Sequence, residues 1–312
     1  MLVVDSQVHM GPMGGPAWPR DLGDVSLTPD ERRARRARGH PKPNVVELLD
    51  EMQRAGVDAA LLVCTSPGAA RSGSDDEASF AAARAHPETF GCIAALEVRD
   101  PGVVARLDEL QAAPEVLGVR VSLHPPEVEA AHRRPDAVRY APHDVGNPGQ
   151  YADIWDACVA RAIPVTFNAP GLTGYLEDVA RAHPDLKISL DHMSFGGIDT
   201  QDPYDDLRPL LGPLLELAEL ENVAVKASGL PGAVAESYPF PKLQATMREV
   251  IGAFGAHRVH WGSNLSRAVC GYDRIVGFFA HELDFLSDDE VADLLGRGLV
   301  RWLGWSALES RT

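Results

Sequence analysis

No run of about 18 apolar residues occurs in this sequence, so no segment of it reads as a membrane-spanning helix. Cysteine is scarce and dispersed. Cys64, Cys92, Cys158 and Cys270 are far apart, and the first three sit in apolar runs. That pattern excludes a disulfide framework and a cysteine-type zinc site, and it fits reduced, buried thiols. Positive charge is also short: 29 Lys and Arg stand against 45 Asp and Glu, a formal net charge of −16. Phosphate backbones need a basic face, so nucleic acid is not an expected partner, and neither is a membrane. The opening residues lack the basic and apolar regions of a secretory signal because Asp5 interrupts them, and a cytoplasmic location is expected. Neither an internal repeat nor a shift in composition marks a second domain, so residues 1–312 are expected to form one.

What the chain does have is a regular alternation of two patterns. Short β-rich apolar runs occur at 2–8, 59–64, 90–96, 118–123, 164–168, 187–191, 223–227 and 259–262. Helix-like stretches follow them at 45–55, 78–85, 103–111, 152–161, 175–183, 207–220, 243–254 and 272–282. Alternating βα units make a parallel sheet, and eight of them make a closed (β/α)8 TIM barrel, an α/β fold. A last helix is expected over 288–295, with Ser287 as its N-cap and Glu290 three residues on. The segments 11–43, 124–150, 193–206 and 228–242 are long and rich in Pro and Gly. All of them follow strands, where a barrel of this kind builds its catalytic face. Within the first lies "DERRARRARGHPKP", residues 30–43, with five Arg and a Lys against two acids. It reads as a solvated loop or as a positive rim for an anionic substrate or an acidic carrier.

Polar residues recur where the strands end. Strand 1 offers Gln7 and His9, and simple alternation puts Asp5, Gln7 and His9 on one face. Strand 4 ends "GVRVSLHP", with Arg120, Ser122 and His124 on a shared face. Strand 5 supplies Asn168, strand 6 His192, strand 7 Lys226 and Ser228, and strand 8 Asn264 with Arg267 close behind. Asp191, next to His192, should face away from it and serve structure. Ser122 has no evident activating partner, which argues against serine-hydrolase chemistry. His40, His86, His132, His183, His257 and His281 lie in loops or helices and read as surface residues.

Taken together these segments resemble the amidohydrolase-related (amidohydrolase 2) branch of the amidohydrolase superfamily over nearly the whole chain. "VDSQVH" resembles its strand-1 Asp-x-His-x-His signature, and "LGVRV" its strand-4 arginine segment. "AHPDLKISLDHMSFGG" and "NVAVKASGL" resemble its strand-6 and strand-7 segments, and "FGAHRVHWGSNLSRA" the strand-8 segment that normally reads Gly-Ser/Thr-Asp. The resemblance implies metal ligands on two strand-1 histidines, histidines of strands 5 and 6 and a strand-8 aspartate. Here those places hold Gln7, His9, Asn168, His192 and Asn264. Carboxamides bind transition metals poorly, and a set without a carboxylate leaves an ion's charge uncompensated. No metal and no other cofactor are therefore expected, and Gln7 and Asn168 should hydrogen-bond substrate instead.

Metal-free lactonases of the branch keep the strand-8 aspartate as the base that activates water, a role Asn264 cannot fill. Either an aspartate has been exchanged for asparagine in this chain, or its chemistry needs no base there. The expected catalytic residues are His9, His192 and Asn264, and the expected substrate contacts are Gln7, Arg120, His124, Asn168, Lys226 and Arg267. Arg120 could clamp a substrate carboxylate or form an internal ion pair with Asp5 or another acid. The expected function is metal-independent hydrolysis of a lactone or amide in a small carboxylate-bearing cyclic substrate. A lyase or cyclase reaction and a non-catalytic ligand-binding barrel are the alternatives, in a monomer or homodimer.

Overall fold

The computed structural model describes residues 1–18, 41–65, 75–123, 148–195 and 204–312. Eight strands lie side by side in chain order: β1 (Val4–Val8), β2 (Ala59–Val63), β3 (Phe90–Ala95), β4 (Val116–Ser122), β5 (Val165–Asn168), β6 (Ile188–Leu190), β7 (Val223–Ser228) and β8 (Val259–Gly262). Each pairs in parallel with the next, β1 with β2 through to β7 with β8. The sheet curls until β8 stands beside β1. There the Asn264 N–H donates to the Gln7 carbonyl at 2.9 Å, and the Ser263 N–H donates to Asp5 Oδ1 at 2.9 Å. The result is the expected (β/α)8 barrel.

Alternate residues of the strands feed two apolar clusters. Ala60, Leu62, Cys92, Ala94, Val119, Val121, Val165 and Phe167 face outward and pack with the helices. Ala59, Leu61, Val63 and Ile93 face inward, where Leu299, Val300, Trp305 and Leu308 of the C-terminal helices join them. All four cysteines are buried and unbridged. No helix among the described residues is long and apolar enough to cross a membrane.

The helices start and stop for local reasons. Helix α1 (Val45–Ala55) opens on Asn44, whose side chain accepts from the Val46 and Glu47 amides while Glu47 reaches back to the Asn44 N–H. Ser287 and Glu290 form the same reciprocal cap at Asp288–Ala292, as the sequence implies. The expected helix over 207–220 is broken into short turns around Gly212–Glu216, because Pro209 and Pro213 deny it a continuous hydrogen-bond ladder. The expected helix over 288–295 stops at Ala292 and passes into a wider turn at Asp293–Arg297, where Gly296 packs against Leu2 and Val4. Residues 30–40 of the basic stretch lie outside the described residues.

Candidate active site

Sheet register decides which side chains meet. Arg120 pairs with Thr166 and Ser122 with Asn168, Thr166 with Ser189, Ser189 with Ala224, Lys226 with His260, and Ser228 with Gly262. Paired residues share a face, so this whole set points into the barrel. Strand β1 departs from simple alternation: its register shifts between Asp5 and Val8. The extra residue turns Asp5 away from Gln7 and His9, which corrects the expectation that all three share a face. Asp5 faces the outer layer, where it accepts from the Gln7 N–H at 2.8 Å and from the Tyr272 hydroxyl at 2.7 Å. Burial pushes its carboxyl pKa up against the hydrogen bonds from Ser263, Gln7 and Tyr272.

Strand β6 ends early, at Leu190, and this corrects the reading of Asp191. The chain then makes a tight turn over Asp191–Ser194 in which His192, Met193 and Ser194 have φ of 55°, 54° and 58°. Three consecutive non-glycine residues in the left-handed region are costly, and such strain gathers where a site requires it. The turn puts Asp191 inside the barrel and not behind it. Its Oδ2 accepts from Arg120 Nε at 2.7 Å, and its Oδ1 lies 2.9 Å from Lys226 Nζ. Burial alone raises the Asp191 pKa, but the Lys226 and Arg120 cations outweigh it and hold the carboxyl well below its usual range. Of the two roles open to Arg120, the internal ion pair is the one seen, with Asp191 as the acid.

Lys226 is 2% exposed and also donates to Gln7 Oε1. Burial draws its ammonium pKa down while Asp191 opposes the shift. Gln7 Nε2 lies 3.4 Å from His9 Nε2, and His9 Nδ1 lies 2.7 Å from the Val63 carbonyl. A carbonyl only accepts, so the His9 proton sits on Nδ1 and Nε2 carries the lone pair. Burial, with the positive charges of Arg120 and Lys42, brings the His9 pKa down to about 3. His192 follows the same rule. Its Nδ1 faces the Ser228 carbonyl at 3.1 Å and the Ser228 hydroxyl at 2.8 Å, which makes Nδ1 the donor nitrogen of the ring. Longer contacts of 3.4 and 3.5 Å carry the chain of polar groups from Arg120 through Ser122 to Asn168.

Asn264 is 2% exposed and left-handed (φ 50°), and its Oδ1 is buried without a hydrogen bond. Its Nδ2 and the His192 ring both border Gly229. Arg267 is half-buried beyond it. His124 lies outside the described residues. A buried histidine was not among the candidates read from the sequence. His260 points inward beside Lys226, and burial lowers its pKa to about 3 against an opposing contact with the His257 backbone. The register of β8 with Lys226 is the signal that could have found it. Of the histidines read as superficial, His86, His257 and His281 are exposed, whereas His183 is half-buried with Nδ1 2.9 Å from Asp156. His40 and His132 lie outside the described residues.

The sequence model of the amidohydrolase family matches residues 14–298. The chain belongs to the amidohydrolase family. Solved structures similar to this amidohydrolase include an amidohydrolase from Burkholderia multivorans with bound zinc, at 17% identity and TM-score 0.67, covering 97% of this chain and 99% of that one. Another is a putative 2-pyrone-4,6-dicarboxylic acid hydrolase from Pseudomonas putida, at 19% identity and TM-score 0.64, covering 97% and 98%. A third is 2,6-dihydroxybenzoate decarboxylase from Rhizobium, at 14% identity and TM-score 0.63, covering 98% and 99%. No curated protein matches the chain. Proteins named as a hydrolase and as a decarboxylase thus share the barrel fold of this amidohydrolase.

The residues present fit a divalent metal poorly. Asp191, which faces the two site imidazoles, is already held by two cations, and the expected ligand places at Gln7, Asn168 and Asn264 hold carboxamides. No group of three His, Cys, Asp or Glu side chains suited to an ion occurs among the described residues. A dication here would sit among Arg120, Lys226 and Lys42 with no free anionic ligand among the described residues.

Proposed function

We propose that this amidohydrolase hydrolyses a lactone or amide bond in a small, carboxylate-bearing cyclic substrate, without a resident metal, in the cytoplasm. The observation that carries the reading is the charge arrangement at the barrel mouth. Two buried cations, Arg120 and Lys226, face one buried carboxylate, Asp191, beside two imidazoles. That excess favours an anion, and the guanidinium groups not spent on Asp191 suit a carboxylate. Asn168, His124 and Arg267 complete the substrate contacts in this reading, and Gln7 and Lys226 support them from below.

His192 Nε2 takes a proton from water, and the resulting hydroxide adds to the carbonyl carbon. Asn264, which borders Gly229 with His192, orients that water by hydrogen bonding. The ring C–O or C–N bond then breaks, and the proton passes to the leaving oxygen or nitrogen. His9, neutral at working pH, accepts a hydrogen bond at Nε2 and is too weak a base to compete for the proton. A second reading, proton transfer to carbon in a lyase, is favoured by one feature: the carboxamide of Asn264 cannot activate water as a carboxylate does.

Chelator-dialysed protein, incubated in 18O-labelled water with 2-pyrone-4,6-dicarboxylate, its lactam analogue and 2,6-dihydroxybenzoate, separates the two. Turnover of a cyclic ester or amide with one labelled oxygen in the product is the expected result. Release of carbon dioxide from the benzoate, with no label in the aromatic product, establishes the lyase instead. Turnover that appears only when zinc is restored overturns metal independence.

A further inference from the structure

We infer that Lys226 is a positioning residue that sets the direction of the Gln7 carboxamide and, through it, keeps His9 Nε2 unprotonated as a hydrogen-bond acceptor. The carboxamide of Gln7 has two ends of opposite character, one accepting and one donating, and it is fully buried. Lys226 can only donate, and its Nζ bonds Gln7 Oε1. The other end, Nε2, is thereby turned to His9 Nε2 at 3.4 Å. Two donors cannot face each other, so the His9 nitrogen opposite must carry a lone pair. The Val63 carbonyl holds the other ring nitrogen as the donor, and the two constraints agree. Asp191 in turn fixes the ammonium from the far side, 2.9 Å away. Polarity therefore runs in one direction from Asp191 through Lys226 and Gln7 to His9.

Without the ammonium only the long contact to the His9 lone pair holds Gln7 in this orientation. A half-turn of the carboxamide would put Oε1 against His9 Nε2, and two acceptors in contact draw a proton between them. His9 would then become a doubly protonated imidazolium, since Val63 retains the Nδ1 proton. Arg120 and Lys42 lower the His9 pKa and Asp191 raises it, while Lys226 reaches His9 through the carboxamide. This deepens the reading of His9 as a hydrogen-bond acceptor, yet it is tested without substrate, so the two can fail separately.

The test is a long-range proton–nitrogen correlation spectrum of protein with 15N-labelled histidine, recorded at pH 7. Native protein should show His9 with one protonated nitrogen, Nδ1, and one lone-pair nitrogen, Nε2. In Lys226→Met the Nε2 signal should move to the protonated range, whereas Lys226→Arg, still donor-only, should keep the native pattern. Gln7→Glu, which has no donor to offer, should protonate Nε2 even with Lys226 in place, and it serves if Lys226→Met does not fold. In a Gln7→Leu background, adding Lys226→Met should leave His9 unchanged. A lone-pair Nε2 that persists in either Lys226→Met or Gln7→Glu overturns the inference. So does a change on adding Lys226→Met in the Gln7→Leu background, which would mean that the lysine acts by some route other than the carboxamide.

Discussion

Replacing Asn264 by aspartate puts a carboxylate beside His192 at the place where the resemblance calls for a base. For a hydrolytic enzyme, Asn264→Asp should raise kcat by about 10²–10⁴-fold, the usual contribution of a positioned general base. Steady-state kinetics on the substrate found by oxygen labelling give the answer, and an unchanged kcat removes the base from position 264. At this scale the sequence was informative about identity and poor about partnership. Gln7, His9, Arg120, Lys226 and Asn264 could be named from strand ends, because a polar residue closing an apolar run is conspicuous. That Arg120 and Lys226 both bind Asp191 was hidden, since it depends on β6 stopping at Leu190 and on three left-handed residues that no propensity favours. His260 was hidden for a simpler reason: a lone imidazole inside an apolar run carries no motif.

Among the elements, β1 and β8 close the barrel, and they meet closely at Gly262. A Cβ on Gly262 would lie 2.8 Å from Ser6 Oγ and 2.9 Å from both Gln7 Cβ and Ser228 Cβ. Side chains on two neighbouring strands leave no room there. Gly262→Ala should therefore cost about 1–3 kcal/mol of stability, as overpacking of a well-filled interior does. Urea denaturation measures it, and a loss below about 0.5 kcal/mol would show that the seam can open. The elements themselves were the legible part of this fold. All eight strands were readable from alternation with helices, since an inner and an outer apolar face leave continuous apolar runs. What alternation could not give was the register shift within β1, because an inserted residue changes the face of Asp5 without changing the pattern of residue types. Helix breaks at Pro209 and Pro213 were visible in the sequence and were given too little weight.

Over the whole molecule, two imidazoles buried neutral make folding sensitive to acid. His9 and His260 take up protons near pH 3 when folded and near pH 6.5 when unfolded. Between those values the unfolded chain binds more protons, so each residue's contribution is complete above about pH 7 and declines as pH falls. At pH 5 each lowers stability by about 2 kcal/mol relative to pH 7.5. Asp5, whose pKa burial raises, works in the opposite sense from its unfolded value of 3.8 upward. A variant isolates one part of this balance. In His260→Gln the stability difference between pH 7.5 and pH 5 should be about 2 kcal/mol smaller than in the native chain, by urea denaturation at the two pH values. Equal differences would mean that His260 is protonated in the fold, or that water reaches it.

The pairing of Lys226 with Gln7 joins residues 219 positions apart in the chain. During synthesis, at about 5–20 residues per second, Gln7 therefore waits roughly 10–40 s for the residue that orients it. Asn264, which binds the Gln7 backbone, emerges later still. For that interval the nascent chain holds apolar strands and a polar first strand with no final partner. The half-made barrel has no assembled site, and its chemistry begins only when its last strand is released.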